Sequence, residues 1–187
     1  MADSEGYDAP MRLEGQLLIA TPTLGEGLFH HSVILLAEHS SDEGAFGLIL
    51  NHPSGHSVGD FLKQDEFEAL SDISVHLGGP VSQENLSFAA LWWSSSEVLR
   101  FETSISAKEA TKRTRIPGVV VRAFLGYSGW SSGQLESEIR NRSWIPAKPT
   151  VELLSRNQDH SLWSETLQNL SLYHRIMAEC PGDPERN

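Results

Sequence analysis

The stretch Gly126-Tyr127-Ser128-Gly129-Trp130-Ser131-Ser132-Gly133-Gln134-Leu135-Glu136-Ser137-Glu138-Ile139 joins the apolar, β-prone run 119–125 to a short amphipathic helix. Ser131 and Gln134 have the S-x-x-Q spacing of a capping box, which starts the helix at about Ser132. Leu135 and Ile139 share one face of it. Glu136 with Arg140 and Glu138 with Arg142 are i, i+4 pairs in the favourable orientation, worth about 0.2–0.5 kcal/mol each. Gly126 and Gly129 permit left-handed or closely packed backbone, and Tyr127 and Trp130 either stack on a ligand or fill the core. The stretch is therefore a structural corner or a site at a helix N-terminus, where free N–H groups receive anions. Its candidate binding residues are Tyr127, Ser128, Gly129, Trp130, Gly133, Gln134 and Glu136.

The same segment approaches the nucleophile elbow G-x-S-x-G, but Trp130 stands in place of the last glycine, so the strained turn is not specified. A hydrolase using Ser128 and one of the eight histidines as base stays as the alternative reading. Metal ligation is weakly supported. His30, His31 and His39 flank one strand with Glu38, yet seven extended residues separate His31 from Glu38 by about 23 Å. His52 and His56 bracket Pro53 and Gly55 and share no helical face. No H-E-x-x-H, P-loop or complete dinucleotide fingerprint is present, and no cofactor is expected.

Upstream, residues 16–20 and 32–39 read as buried strands, the second apolar enough to be covered on both faces. Residues 45–50 return as a hairpin strand that ends at Asn51-His52-Pro53. Ser57 and Asp60 resemble a capping box for a helix over 58–70. Strands follow at 73–77, 86–93 and 97–105. Ser106 and Glu109 open a basic helix towards Arg115, and Pro117-Gly118 breaks it. Beyond the opening stretch, Trp144-Ile145-Pro146 closes its helix, 150–154 is a last strand, and 161–177 is a helix with Trp163, Leu167 and Leu170 on one face. Strands in runs with short helices between them indicate an α+β domain with a mixed or antiparallel sheet. The expected organisation is a tail at 1–14, one domain over 15–180 and a second tail at 181–187.

The 187 residues suit one core, and 39% hydrophobic with 21% charged residues is a globular composition. No apolar run approaches the roughly 20 residues of a membrane span. The acidic start resembles neither a signal nor a transit peptide, and the lone Cys180 excludes an internal disulfide, so the expected location is the cytoplasm. A net charge of -11 argues against general nucleic-acid binding. The charge is uneven: residues 1–100 carry 15 acidic and 3 basic side chains, the rest 10 and 11. Lys108, Lys112, Arg113, Arg115 and Arg122 cluster against Glu109 alone, either as a solvated face or as an anion patch in which Arg113 and Arg115 are the candidates.

Taken together, these pieces resemble the YqgE/AlgH family of small bacterial proteins. Leu17-Leu18-Ile19-Ala20-Thr21-Pro22 with Phe29-His30-His31-Ser32-Val33 is similar to its opening block. Residues 44–53, ending Asn51-His52-Pro53, and Leu77-Gly78-Gly79-Pro80-Val81 match its middle. The opening stretch with Trp144 looks like its most distinctive segment, and Pro181-Gly182-Asp183-Pro184 resembles its close. The likeness spans residues 15–187. His52 stands where the family usually has a basic residue, and 91–116 departs most. The resemblance implies one compact domain around a mixed, partly barrel-like sheet flanked by short helices, with no agreed enzymatic activity. The family has been called one of transcriptional regulators, but this chain has no helix-turn-helix pattern. The expectation is a non-enzymatic binding or regulatory module whose partner is a protein or a small anion, with direct nucleic-acid contact and membrane insertion disfavoured. No feature specifies an oligomeric state.

Overall fold

The computed structural model describes residues 12–155 and 158–170. In chain order they form β1 (Leu17–Ala20), β2 (Val33–Ser40), β3 (Gly44–Ile49), β4 (Pro53–Ser57), α1 (Val58–Phe61), a 3₁₀ turn (Asp65–Leu70), β5 (Ser74–Leu77), β6 (Val81–Trp93) and β7 (Leu99–Ile105). Then come α2 (Ala107–Arg113), β8 (Val120–Trp130), α3 (Gln134–Arg140), β9 (Trp144–Ala147), a second 3₁₀ turn (Val151–Leu154) and α4 (Ser161–Gln168). The strands join in one sheet of order β4-β5-β8-β3-β2-β1-β9, with β6 and β7 branching from β8. The β5–β8 pairing is parallel and the others are antiparallel. The sheet is thus mixed, and it curls into a half-barrel with short helices around it, an α+β single domain.

The buried apolar runs explain the centre. Leu17 to Ala20 and Val33 to Leu36 are fully covered, because the sheet's two faces are both packed there. β8 is the pivot. Its residues 120–125 lie between β6 and β5, whereas Ser128 to Trp130 pair with β3. The change of partner falls at Gly126, whose φ is +68°. A Cβ there would stand 2.6 Å from the Val81 carbonyl oxygen and 2.7 Å from that of Gly79. A Cβ on Gly79 would in turn run into the backbone of Tyr127. Gly78-Gly79 and Gly126, separate in the sequence, are two sides of one backbone crossing that side chains would block.

Two cores result. The larger gathers β1, β2, β3, β9, Leu135, Trp130 and α4, and the smaller gathers Val58, Leu70, Val75, Phe88, Ala110 and Ala123. Buried Asn51 ties the larger one together. Its Oδ1 accepts from the Val33 N–H at 2.8 Å, and its Nδ2 donates to the His31 carbonyl at 2.9 Å.

Several expected elements are corrected. Pro53 opens β4 instead of merely ending the hairpin, at the outer strand of the sheet where a missing N–H costs little. The helix expected at 58–70 splits. Val58 and Gly59 donate to the carbonyls of Ile73 and Ser71, which satisfies the first N–H groups of α1, and the helix stops where Leu62 is extended. β8 runs through Trp130, so the opening stretch is strand for five residues and turn only at 131–133. Gly133 is left-handed at φ +70°, which delays α3 to Gln134. Residues 144–147 are a strand that pairs with β1 from Leu17 to Ala20. With that edge taken, 151–154 forms a 3₁₀ turn and not the expected strand. Leu13 is 1% exposed and belongs to the larger core, so the anchored chain begins inside the expected tail. Most of that tail, the end of the 161–177 helix, Cys180 and the 181–187 tail lie outside the described residues. Among the described residues no helix is long and apolar enough to cross a membrane.

Candidate functional site

The strand-to-helix corner is built around a carboxylate. Glu138 Oε2 accepts from both indole N–H groups, Trp130 Nε1 at 2.8 Å and Trp144 Nε1 at 2.8 Å, while Oε1 accepts from Gln134 Nε2 at 2.9 Å. Trp130 and Trp144 meet edge to face at 6.0 Å, and Phe29 packs on both. Trp130 is 6% exposed and Trp144 is 3% exposed. Burying an indole requires a partner for its N–H, and one carboxylate serves two. The expected pairs of Glu136 with Arg140 and Glu138 with Arg142 do not form among the described residues. Glu138 is taken by the tryptophans, and Glu136 Oε1 meets His39 Nε2 at 3.0 Å.

The capping box at the head of α3 forms by halves. Gln134 Oε1 accepts from the Ser131 N–H at 3.0 Å and from its hydroxyl at 3.0 Å, but the Gln134 N–H goes to the Ser131 carbonyl and not to the side chain. Ser128 is fully buried and its hydroxyl donates to the Gly78 carbonyl at 3.1 Å. The serine locks the glycine crossing and is turned away from solvent, so the elbow reading loses its nucleophile.

On the outer side of the corner lies an open cleft of about 630 Å³. It is lined by Glu14, Glu38 and Glu43, by His39, and by Phe46 and Tyr127, with Trp130 at its floor. Phe46 and Tyr127 pack with centroids 5.1 Å apart. Of the residues expected to bind, Tyr127 and Trp130 line this cleft, and Glu136 borders it through His39. Gly129, Gly133 and Gln134 are exposed at the rim of the turn. Arg113 and Arg115 lie elsewhere. Arg113 is bound to Glu102 at 2.6 Å and Glu109 at 3.1 Å, Lys112 meets Glu109 at 3.3 Å, and Lys108 reaches Glu66 at 4.0 Å. The basic run is thus largely neutralised, and Arg115 is an exposed cation. Glu14, Glu43 and Phe46 carry no local motif; the pairing of β3 with β2 and β8 brings Phe46 to Tyr127, and the bond from the Gly15 N–H to the Leu36 carbonyl sets Glu14 beside β2.

Four histidines gather at another corner. The His30 and His31 rings stack at 3.7 Å, His31 stacks on Trp163 at 3.8 Å, and His52 faces His160 at 5.6 Å. Burial first, and neighbouring imidazoles second, hold His31 and His52 below the ordinary histidine value. Among the described residues no three ligand-type side chains converge as a metal site.

Comparison with known proteins agrees with this architecture. The AlgH-like family model matches residues 17–175. A UPF0301 protein of Cytophaga hutchinsonii is 32% identical over 188 residues, covering 95% of this chain and 100% of the relative. One from Thermobifida fusca is 31% identical, covering 98% and 100%. Among solved structures, AlgH of Pseudomonas aeruginosa superposes with a TM-score of 0.66 at 24% identity, over 98% of this chain and 100% of that one. A Corynebacterium diphtheriae protein gives 0.68 at 20%, over 91% and 93%. At those identities the two structures speak for the fold. With the family model spanning most of the chain and curated relatives matched nearly end to end, this chain belongs to the AlgH-like, UPF0301 family.

Proposed function

We propose that this chain is a non-enzymatic binding protein of the cytoplasm that receives a basic segment of a partner protein in the cleft beside β8. The observation that carries the reading is the composition of that cleft: three glutamates around Phe46 and Tyr127. Carboxylates attract a cation, and aromatic faces hold a guanidinium or ammonium by about 0.5–1 kcal/mol at an exposed site. The net charge of -11 speeds the approach of a basic partner and repels nucleic acid. Regulation, the role the family has been assigned, would then run through protein contact and not through DNA. Burial of Ser128 supports binding over hydrolysis.

The test is titration of isotopically labelled protein with an Arg/Lys-rich peptide and, separately, with duplex DNA. The peptide should shift the amides of Ala45, Phe46 and Tyr127, and the DNA should not. The double substitution Glu38→Lys with Glu43→Lys should weaken the peptide by about tenfold or more, since it reverses two charges at the cleft. Equal peptide affinity in that variant, or shifts confined to other surfaces, would sink the proposal.

A further inference from the structure

Beside β5 and the first half of β8 is a second cavity, of about 520 Å³, whose walls include Ser74, His76, Val121, Arg122 and Gln158. Arg122 sits on β8 opposite Ala89 of β6, and His76 sits on β5 opposite Phe124, two residues along β8. Alternation along β8 puts Arg122 and Phe124 on the same face of the sheet. Arg122 and His76 therefore enter this cavity together.

Both are incompletely satisfied. Arg122 makes no ion pair with any described carboxylate, and its buried Nε has no hydrogen-bond partner. Burial lowers its pKa to about 10, so it still carries its charge at neutral pH. Every basic neighbour in the 108–113 run has a glutamate partner, and Arg122 does not. His76 is 5% exposed. Its Nε2 lies 2.7 Å from the Gln158 carbonyl oxygen, which can only accept, so Nε2 carries the proton and Nδ1 is a bare acceptor. That Nδ1 is buried and receives no N–H or O–H from any described residue, though the Ser74 backbone lies beside the ring. Asp159 also lines the cavity, but its carboxylate accepts from the Ser161 N–H at 2.9 Å and hydroxyl at 2.7 Å.

A half-buried cation whose Nε is unpaired and a buried acceptor, both lining one cavity, define the complement that would satisfy both. It must bring anionic oxygens for the planar fork of the guanidinium and an O–H for the imidazole nitrogen. We propose that Arg122 and His76 form a binding site for a small oxyanion that keeps a hydroxyl at neutral pH, namely inorganic phosphate as its hydrogen or dihydrogen anion. The anionic oxygens accept from Arg122 while the P–O–H donates to His76 Nδ1. Burial and, to a lesser degree, the Arg122 charge hold His76 neutral, which keeps Nδ1 an acceptor. This site is independent of the acidic cleft.

Inorganic phosphate, sulfate and glycerol phosphate are the probes, followed by the amide shifts of residues 74–77 and 120–123 in the full chain at pH 7. Inorganic phosphate is expected to bind and sulfate, which has no proton to give, to bind more weakly. Glycerol phosphate is mostly the dianion at pH 7 and lacks the P–O–H, so it is expected to bind more weakly than inorganic phosphate, and equal or tighter binding by it would overturn the role given to His76. Arg122→Met is expected to lose phosphate binding by about tenfold or more, the range for a charge-assisted hydrogen bond. Arg115→Met should leave it unchanged. Because Arg122→Met removes a half-buried charge with no described ion-pair partner, the variant is expected to melt no lower than the parent without phosphate, so loss of binding cannot be ascribed to unfolding. His76→Asn should erase the preference for phosphate over sulfate. Shifts absent up to tens of millimolar phosphate, or equal binding by Arg122→Met, would overturn the assignment.

Discussion

Glu138 and Arg122 are both partly withdrawn from water, and the fold treats them in opposite ways. The carboxylate receives three N–H donors, two of them from buried indoles. The guanidinium sits in a cavity with its Nε unpaired and no described carboxylate opposite. A charge satisfied from within holds the structure together, while a charge left open is a cost that folding alone does not repay. The corner around Glu138 is thus the mechanical joint between β8 and α3, and the Arg122 cavity is where something outside the chain has room to act.

The largest expected effect is at the joint. Glu138→Ala strands two buried indole donors, and each unsatisfied group costs about 1–3 kcal/mol, so a loss of about 3 kcal/mol is expected. Urea unfolding checks it, with a lower midpoint and an unchanged slope. A loss below about 1 kcal/mol would mean that the tryptophans find water or another acceptor, and the contrast would fail. Arg122→Met should move the other way, gaining about 1 kcal/mol in phosphate-free buffer, as replacement of poorly compensated buried charge often does. If it destabilises the protein, Arg122 is anchoring the fold and the two charges are alike after all.

The smallest expected effect is on pH dependence. His31, His52 and His76 all titrate below the ordinary 6.5 in the folded protein, burial being the leading cause in each. Well above pH 6.5 these imidazoles are neutral in both folded and unfolded chains and contribute no pH dependence. As pH falls below it, the unfolded chain takes up protons first, so stability drops until the lower folded values are passed. Denaturation midpoints measured from pH 7.5 to 5 should therefore fall on acidification. The fall should be shallower in Arg122→Met, because Arg122 is one of the causes that depress His76. A flat profile in the parent, or an identical slope in the variant, would contradict this account.

Much of the fold was legible because it rests on local chemistry. The covered runs of β1 and β2 announced central strands, and Ser106 caps α2 by accepting the Glu109 N–H at 3.2 Å as its spacing implied. The misses fall where long-range pairing overrides the local pattern. Pro53 enters a strand by pairing with His76, and 144–147, not 151–154, pairs with β1. Such partners lie far off in sequence.

The sites divide in the same way. Residue order alone determined the acidic balance, the α+β pattern of elements and the importance of the stretch from Gly126 to Ile139, since composition, periodicity and glycine placement act over a few residues. Tertiary structure decided what that stretch does. It turned Ser128 inward to Gly78, drew Glu138 from its expected pairing with Arg142 to two indoles, and set Tyr127 beside Phe46 and the glutamates. It also separated Arg122 from the basic run to which it belongs in sequence and placed it beside His76. Hydrogen bonds and ion pairs are short-ranged and directional, so their partners exist only once distant strands have been brought into register.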